Sequence, residues 1–145
     1  VLLTSALQAQ PIGIRQHNPG NLHGRFPSRW LGATSTDSYG YLSFRTDFYG
    51  LRALRINLEA YYFKRHLKTI RQIAGRWVRP PRNQQQVAAL ESYMRGVAQQ
   101  AGVQVDSRLW LEDRSMEKAL AKAIIYAEQG EQPYPESLLD QVFQN

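Results

Sequence analysis

The chain has no cysteine in its 145 residues. That absence removes thiol nucleophiles, zinc ribbons, iron–sulfur ligation and disulfide staples together, and it leaves the redox compartment open. No apolar run approaches the ~20 residues that span a bilayer. The histidines, His17, His23 and His66, lack the two-His helical spacing of a zinc hydrolase. Neither a Gly-x-Ser-x-Gly elbow nor a phosphate-cradling glycine loop is present. No metal or cofactor is therefore expected, and each histidine reads as a surface or packing residue. Acids are missing over a long stretch too. Between Glu59 and Glu91 there is none, although Lys64, Arg65, Lys68, Arg71, Arg76, Arg79 and Arg82 all fall there.

What is present fits one domain over residues 11–145. With 43% hydrophobic residues, a chain of this length buries a core without staples. Lys and Arg number 18 against 12 Asp and Glu, for a net charge of +6, and the excess is uneven. From Glu112 onward acids outnumber bases, with only Arg114, Lys118 and Lys122 opposing them. Such a dipolar chain suits an anionic partner, nucleic acid or bacterial wall, although the two blocks also neutralise each other across a folded surface. A nucleic-acid role for the Lys64–Arg82 block, with Arg71 and Arg76 clamping phosphates, lacks both a stacking platform and a recognition helix. Residues 1–10 run from Val1 to Gln10 with Ala9 at a small-residue edge. They read as the remnant of an export signal or as a leading helix, without the charged n-region of a full signal.

The pattern along the chain is an irregular front and a helical back. Asn18-Pro19-Gly20-Asn21 is a turn sequence. Asp37-Ser38-Tyr39-Gly40 inside Thr34–Phe44 predicts a small hairpin. Thr46 opens a helix whose stripe is Phe48, Leu51, Leu58 and Tyr62, with Gly50 a mild cost inside it. Thr69 caps a second helix with Ile70, Ile73, Ala74 and Trp77 inward, which Pro80-Pro81 stops. Asn83 caps a third, with Val87, Leu90, Met94, Val97 and Ala101 apolar and Gly102 at its end. Ser115 opens a fourth, with Met116, Leu120, Ala123, Ile124 and Ala127 inward and Gly130 at its end. Pro135 takes the first position of a short fifth, which carries Leu138, Leu139, Val142 and Phe143. The fold class is mainly α (α+β).

Glu128 stands out among the acids. It lies four residues after Ile124 and eight after Leu120, so it continues an apolar stripe. It also occupies the last helical turn, where the negative end of the macrodipole disfavours a carboxylate. Both effects raise its pKa and supply a general acid near neutral pH. The plainer alternative, favoured by periodicity alone, is a carboxylate that reaches water past Gly130.

The opening Gly13-Ile14-Arg15-Gln16-His17-Asn18-Pro19-Gly20-Asn21-Leu22 is followed by Trp30-Leu31-Gly32, Gly50-Leu51-Arg52-Ala53, Thr69-Ile70, Trp77, Pro80 and Tyr93. Over most of the chain this resembles a family of phage and prophage virion structural proteins. Glu128-x-Gly130 with Pro133-Tyr134 is similar to that family's closing segment. Val78-Arg79-Pro80 departs from the Ala-Pro that more often follows the tryptophan. More remotely, Asn21-Leu22-His23-Gly24, Trp30-Leu31-Gly32 and Phe44-Arg45 resemble the segment after the catalytic helix of lysozyme-like glucosaminidases and transglycosylases.

In those enzymes a helix ending in Glu comes before that segment, whereas here no acid precedes Asp37. The resemblance therefore implies a lysozyme-like helical domain, circularly permuted, in which the helix ending at Glu128 packs against the front. It implies cleavage of peptidoglycan glycan strands by a lytic transglycosylase or muramidase, in a phage virion or exported to the periplasm, with other virion proteins as further partners. Glu128 is the catalytic candidate. Asp37 is the sole second acid, with a turn-making role the stronger reading. Asn18 and Asn21 are candidates to hydrogen-bond the sugar, unless both only make the turn. Trp30, Tyr39 and Tyr61 are candidates to stack on rings, and Trp77 belongs to the core. Arg15 either holds the opening loop or meets a lactyl or peptide carboxylate. The competing class is a non-catalytic virion or wall-binding module.

Overall fold

The computed structural model of the chain describes residues 10–144, so the reading of the first residues as an export remnant or leading helix falls almost wholly outside it. In chain order the elements are α1 (Ile12–Arg15), β1 (Ala33–Thr36), β2 (Leu42–Phe44), α2 (Asp47–Glu59), α3 (Ile70–Trp77), α4 (Gln84–Ala101), α5 (Arg114–Gln129) and α6 (Glu136–Phe143). A 3-10 turn occupies Pro27–Arg29, and α2 widens into a π turn over Ala60–Lys64. The mainly helical fold with a small hairpin near its front is as the sequence implies. No helix among the described residues is long and apolar enough to cross a membrane.

Side-chain caps mark three of the six helix starts among the described residues, and Thr46, at the start of α2, makes no side-chain cap bond. The Thr69 hydroxyl accepts from the Gln72 N–H at 3.2 Å, and Asn83 Oδ1 accepts from the Gln86 N–H at 2.8 Å. Two starts differ from the sequence reading. Asp113, not Ser115, caps α5: its Oδ1 accepts from the Ser115 N–H at 2.9 Å. A carboxylate also suits the positive helix end better than a hydroxyl. Pro135 lies just outside α6 in extended geometry, and Glu136 begins the helix. Val87, expected inward, is exposed because no other element covers the first turns of α4.

The strands pair antiparallel, with Ala33 opposite Phe44, Ser35 opposite Ser43, Thr36 opposite Leu42 and a bulge between Ala33 and Ser35. Helix α5 is buried on two sides, which is wider than the single stripe read from sequence. Leu120, Ala123 and Ile124 pack with Ile73, Met94 and Val97 of α3 and α4. Ala121 and Ile125 pack with Leu51 and Leu54 of α2 and Leu139 and Phe143 of α6. A third cluster joins Leu22, Leu42 and Phe44 to Ala53. Trp77 touches all three clusters, and its indole N–H donates to the Gly20 carbonyl at 3.0 Å. A half-buried aromatic with its polar edge satisfied is held in place, and this one ties the irregular front to the helices.

Candidate functional site

The site begins with the opening loop. Asn18 is completely buried. Its amide donates to the Leu22 and Leu42 carbonyls at 3.0 and 2.9 Å, and its Oδ1 accepts from the Leu22 N–H at 3.0 Å. Asn18 therefore fixes the loop against β2 and has no face left for a sugar, which corrects its reading as a ligand contact. The turn closes with the Asn21 N–H donating to the Asn18 carbonyl at 3.1 Å. Asn21 takes the left-handed conformation, φ 51°, which among non-glycine residues asparagine tolerates best.

That conformation carries the Asn21 amide onto the end of α5. Its Nδ2 donates to Glu128 Oε1 at 2.8 Å, and its Oδ1 accepts from Gln129 Nε2 at 2.9 Å. Gln129, itself buried, also donates to the Pro19 carbonyl at 2.9 Å. The approach depends on Gly13. A Cβ there would lie 2.5 Å from Asn21 Oδ1 and 2.7 Å from Gln129 Oε1. Glu128 Oε2 accepts from the Tyr93 hydroxyl of α4 at 2.6 Å. Residues from the front, middle and back of the chain thus meet at one carboxyl group.

No cation among the described residues pairs with Glu128. Burial pushes its pKa above the ordinary carboxylate value, and the hydrogen bonds from Tyr93 and Asn21 only partly oppose that. The Tyr93 hydroxyl is pushed well up by burial and by the neighbouring Glu128 charge, so it remains a donor. The carboxyl is therefore poised to hold a proton at higher pH than a surface glutamate.

Two clefts flank this group. One, of about 340 Å³, is lined by Asn21, His23, Trp30, Asn57, Tyr61 and Arg76 among others. The other, of about 410 Å³, is lined by Tyr93, Leu90 and Gln86. Val78, Arg79 and Pro80 line both and divide them. Glu128 itself lines neither cleft, but it is hydrogen-bonded to Asn21 in the wall of one and to Tyr93 in the wall of the other. Neither lining includes an Asp or Glu.

The chain matches no protein-family model and no curated protein sequence.

The remaining sequence candidates divide. Trp30 and Tyr61 join Asn21 in the smaller cleft. Tyr61 stands edge-on to Trp77 at 5.6 Å, and its hydroxyl donates to the Arg76 carbonyl at 3.3 Å. Tyr39 is 75% exposed on the hairpin turn, and Arg15 is exposed at the end of α1; neither lines either cleft. Asp37 is held in its turn. It accepts from Gln16 Nε2 at 3.0 Å and from the Tyr39 and Tyr41 N–H groups at 2.9 and 3.0 Å. The bond from Gln16 first, and then the backbone donors, hold its carboxyl below the usual range. Its carboxylate is engaged in making the turn, and it lines neither cleft. Among the described residues no cluster of His, Asp and Glu is arranged to hold a metal ion.

Three groups were missed by sequence reasoning. Tyr93 enters only as part of the resemblance and is given no role there, although it stands four residues before Val97, at helical spacing. Gln129 is a polar residue four after Ile125, on the second buried face that the single-stripe reading overlooked. Glu117 is the third, and its side chain is fully buried. Its Oε1 accepts from Arg114 at 3.0 Å, while Arg114 also pairs with Glu59 at 3.1 Å. Its Oε2 has no donor.

Burial first, and then Glu59, push the Glu117 pKa up to about 8 from 4.5. The folded state thus binds a proton that the unfolded chain releases across that window, and this stabilising contribution is lost as pH rises from about 4.5 through 8. Thermal unfolding of the wild type is expected to shift down over that interval more than that of Glu117→Gln. Equal pH slopes in the two proteins would mean that Glu117 takes up no such proton on folding.

Proposed function

We propose that the chain cleaves peptidoglycan glycan strands with Glu128 as its only proton-transfer carboxyl, and that it acts as a lytic transglycosylase. The observation that carries this reading is a half-buried, cation-free carboxyl hydrogen-bonded to Asn21 and Tyr93, which line two neighbouring clefts whose walls hold no acid. Most glycosidases require a second carboxylate to activate water or form a covalent intermediate. A transglycosylase does not. The Glu128 proton goes to the bridging oxygen as the bond to the muramyl C1 breaks. The resulting carboxylate then takes the proton of the same sugar's 6-hydroxyl as that oxygen bonds to C1. The products are a 1,6-anhydro end and a free 4-hydroxyl, no water is consumed, and Glu128 is regenerated protonated. Tethering the nucleophile replaces a bimolecular step, which is worth several kcal/mol.

Within this reading the domain is lysozyme-like and permuted, with α5 doing what a first helix does elsewhere. Its support is the bond between Glu128, at the end of α5, and Asn21, in the front segment. A phage particle or the periplasm is the corresponding setting. Nucleic-acid binding is less favoured, because Arg71 of the basic block is already paired with Glu91 and Asp106 at 2.6 and 2.8 Å. A non-catalytic wall or virion module is the second reading. It is favoured by the engagement of both Glu128 oxygens, which also describes a clasp between front and back.

Digestion of purified sacculi separates these readings. Release of fragments with anhydromuramyl ends is expected. Reducing ends in their place would point to a hydrolase, and no soluble fragment from folded protein would leave the clasp alone.

A further inference from the structure

The smaller cleft holds two arginines that the catalytic reading does not use. Arg76 ends α3 and Arg79 follows it on the dividing segment, and both line the cleft. Among the described residues neither has a carboxylate partner. The cleft lining itself includes no Asp or Glu. Arg79 is close enough to His23 to join burial in lowering that imidazole's pKa, against an opposing pull from Asp37. The same cleft is lined by aromatic rings: Trp77 is fixed to Gly20, Tyr61 is set edge-on against it, and Trp30 is a further lining residue.

An aromatic wall takes the apolar face of a sugar, and Asn57 offers an amide for its hydroxyl or acetamido group. Two unpaired guanidinium groups beside that wall select a carboxylate, which they bind in fork geometry. We propose that this cleft is a subsite for a sugar bearing an acidic substituent, the carboxylates of a peptide stem on the glycan, with Arg79 and Arg76 as its selectivity residues. The inference rests on the glycan reading above but not on cleavage. A single-stranded nucleic acid would also bring rings and anions. The cleft, however, is short at about 340 Å³, and Arg71, the next arginine toward the start of α3, is already neutralised.

The test uses the wild-type chain and two disaccharides with the same number of rings. One is N,N′-diacetylchitobiose, which is neutral. The other is N-acetylglucosaminyl-N-acetylmuramyl-L-alanyl-D-glutamate, which carries two free carboxylates and lacks the bond a transglycosylase cuts. Dissociation constants are read from NMR shift titrations at low and high salt, alongside a short oligothymidylate. The acidic disaccharide is expected to bind about tenfold more tightly at low salt. It should shift Trp30 and Trp77 indole signals and lose most of its preference in Arg79→Gln with Arg76→Gln.

Equal binding of the two disaccharides, binding of neither, or a preference untouched by the arginine changes would overturn the assignment. So would tighter, Arg79-dependent binding of the oligothymidylate. If sacculi are not cleaved but the preference holds, catalysis fails and the subsite stands. If they are cleaved without preference, only the subsite fails.

Discussion

Replacing Glu128 with glutamine is expected to slow glycan cleavage by about 10²–10⁴-fold, the usual worth of a positioned general acid, while the chain stays folded. The site tolerates the exchange. The new amide oxygen accepts from Asn21, and the amide nitrogen donates to the Tyr93 hydroxyl, whose proton rotates away. Both bonds that Glu128 makes at 2.8 and 2.6 Å are thus kept in kind. Only the transferable proton is lost, and thermal unfolding should stay within a few degrees of wild type. A companion change separates acid from clasp. The Tyr93 hydrogen bond pulls the Glu128 pKa down against burial, so Tyr93→Phe should raise it further. Activity falls as pH rises through the Glu128 pKa, because the proton donor is lost. That fall should move to higher pH in Tyr93→Phe. An unmoved profile would mean that another group sets it.

The largest effect on stability is expected at Gly50. The sequence presents it as a mild defect within α2, costing about 1 kcal/mol against alanine by helix propensity. In the fold, the backbone of the opening loop lies directly on this residue. A Cβ would overlap the His17 carbonyl oxygen, come within 2.8 Å of its carbon and stand 3.0 Å from Pro19 Cδ. The obstacle is backbone, already pinned by the buried amide of Asn18 next to it, so it cannot swing aside as a side chain would. Gly50→Ala should therefore reverse the helix-propensity gain and destabilise by on the order of 3 kcal/mol or more. For a chain of this size that is a fall in Tm of roughly 10 °C. A variant as stable as wild type would mean the loop does not rest on α2. If the displaced loop carries Asn21 with it, glycan cleavage falls even at temperatures where the variant is folded.

The helices were legible because their signals are local. Thr69, Asn83, Gly102 and Gly130 mark ends through short-range hydrogen bonds and left-handed geometry, and apolar spacing supplies the faces. The two-sided burial of α5 was not legible: Ala121 and Ile125 make a second face only because α2 and α6 arrive from distant parts of the chain. Much the same holds for the site. Periodicity and helix-end position singled out Glu128, and Asn21 was picked from the opening motif. That the two touch is a contact across more than a hundred residues, which no local pattern encodes. Asn18 and Asn21 illustrate the limit. They stand in one turn sequence, yet one is spent wholly on loop carbonyls and the other faces the carboxyl. Glu117 gave no signal because its burial depends on Glu59 and Arg114 closing over it.

The most direct measurement is the titration of the Glu128 side-chain carboxyl carbon by NMR in the folded wild-type protein, assigned by its disappearance in Glu128→Gln. The expected midpoint lies above the ordinary glutamate value of 4.5 and rises further in Tyr93→Phe. A midpoint at or below 4.5 would show a carboxylate held charged by its hydrogen bonds, and Glu128 would then be a clasp with no proton to give.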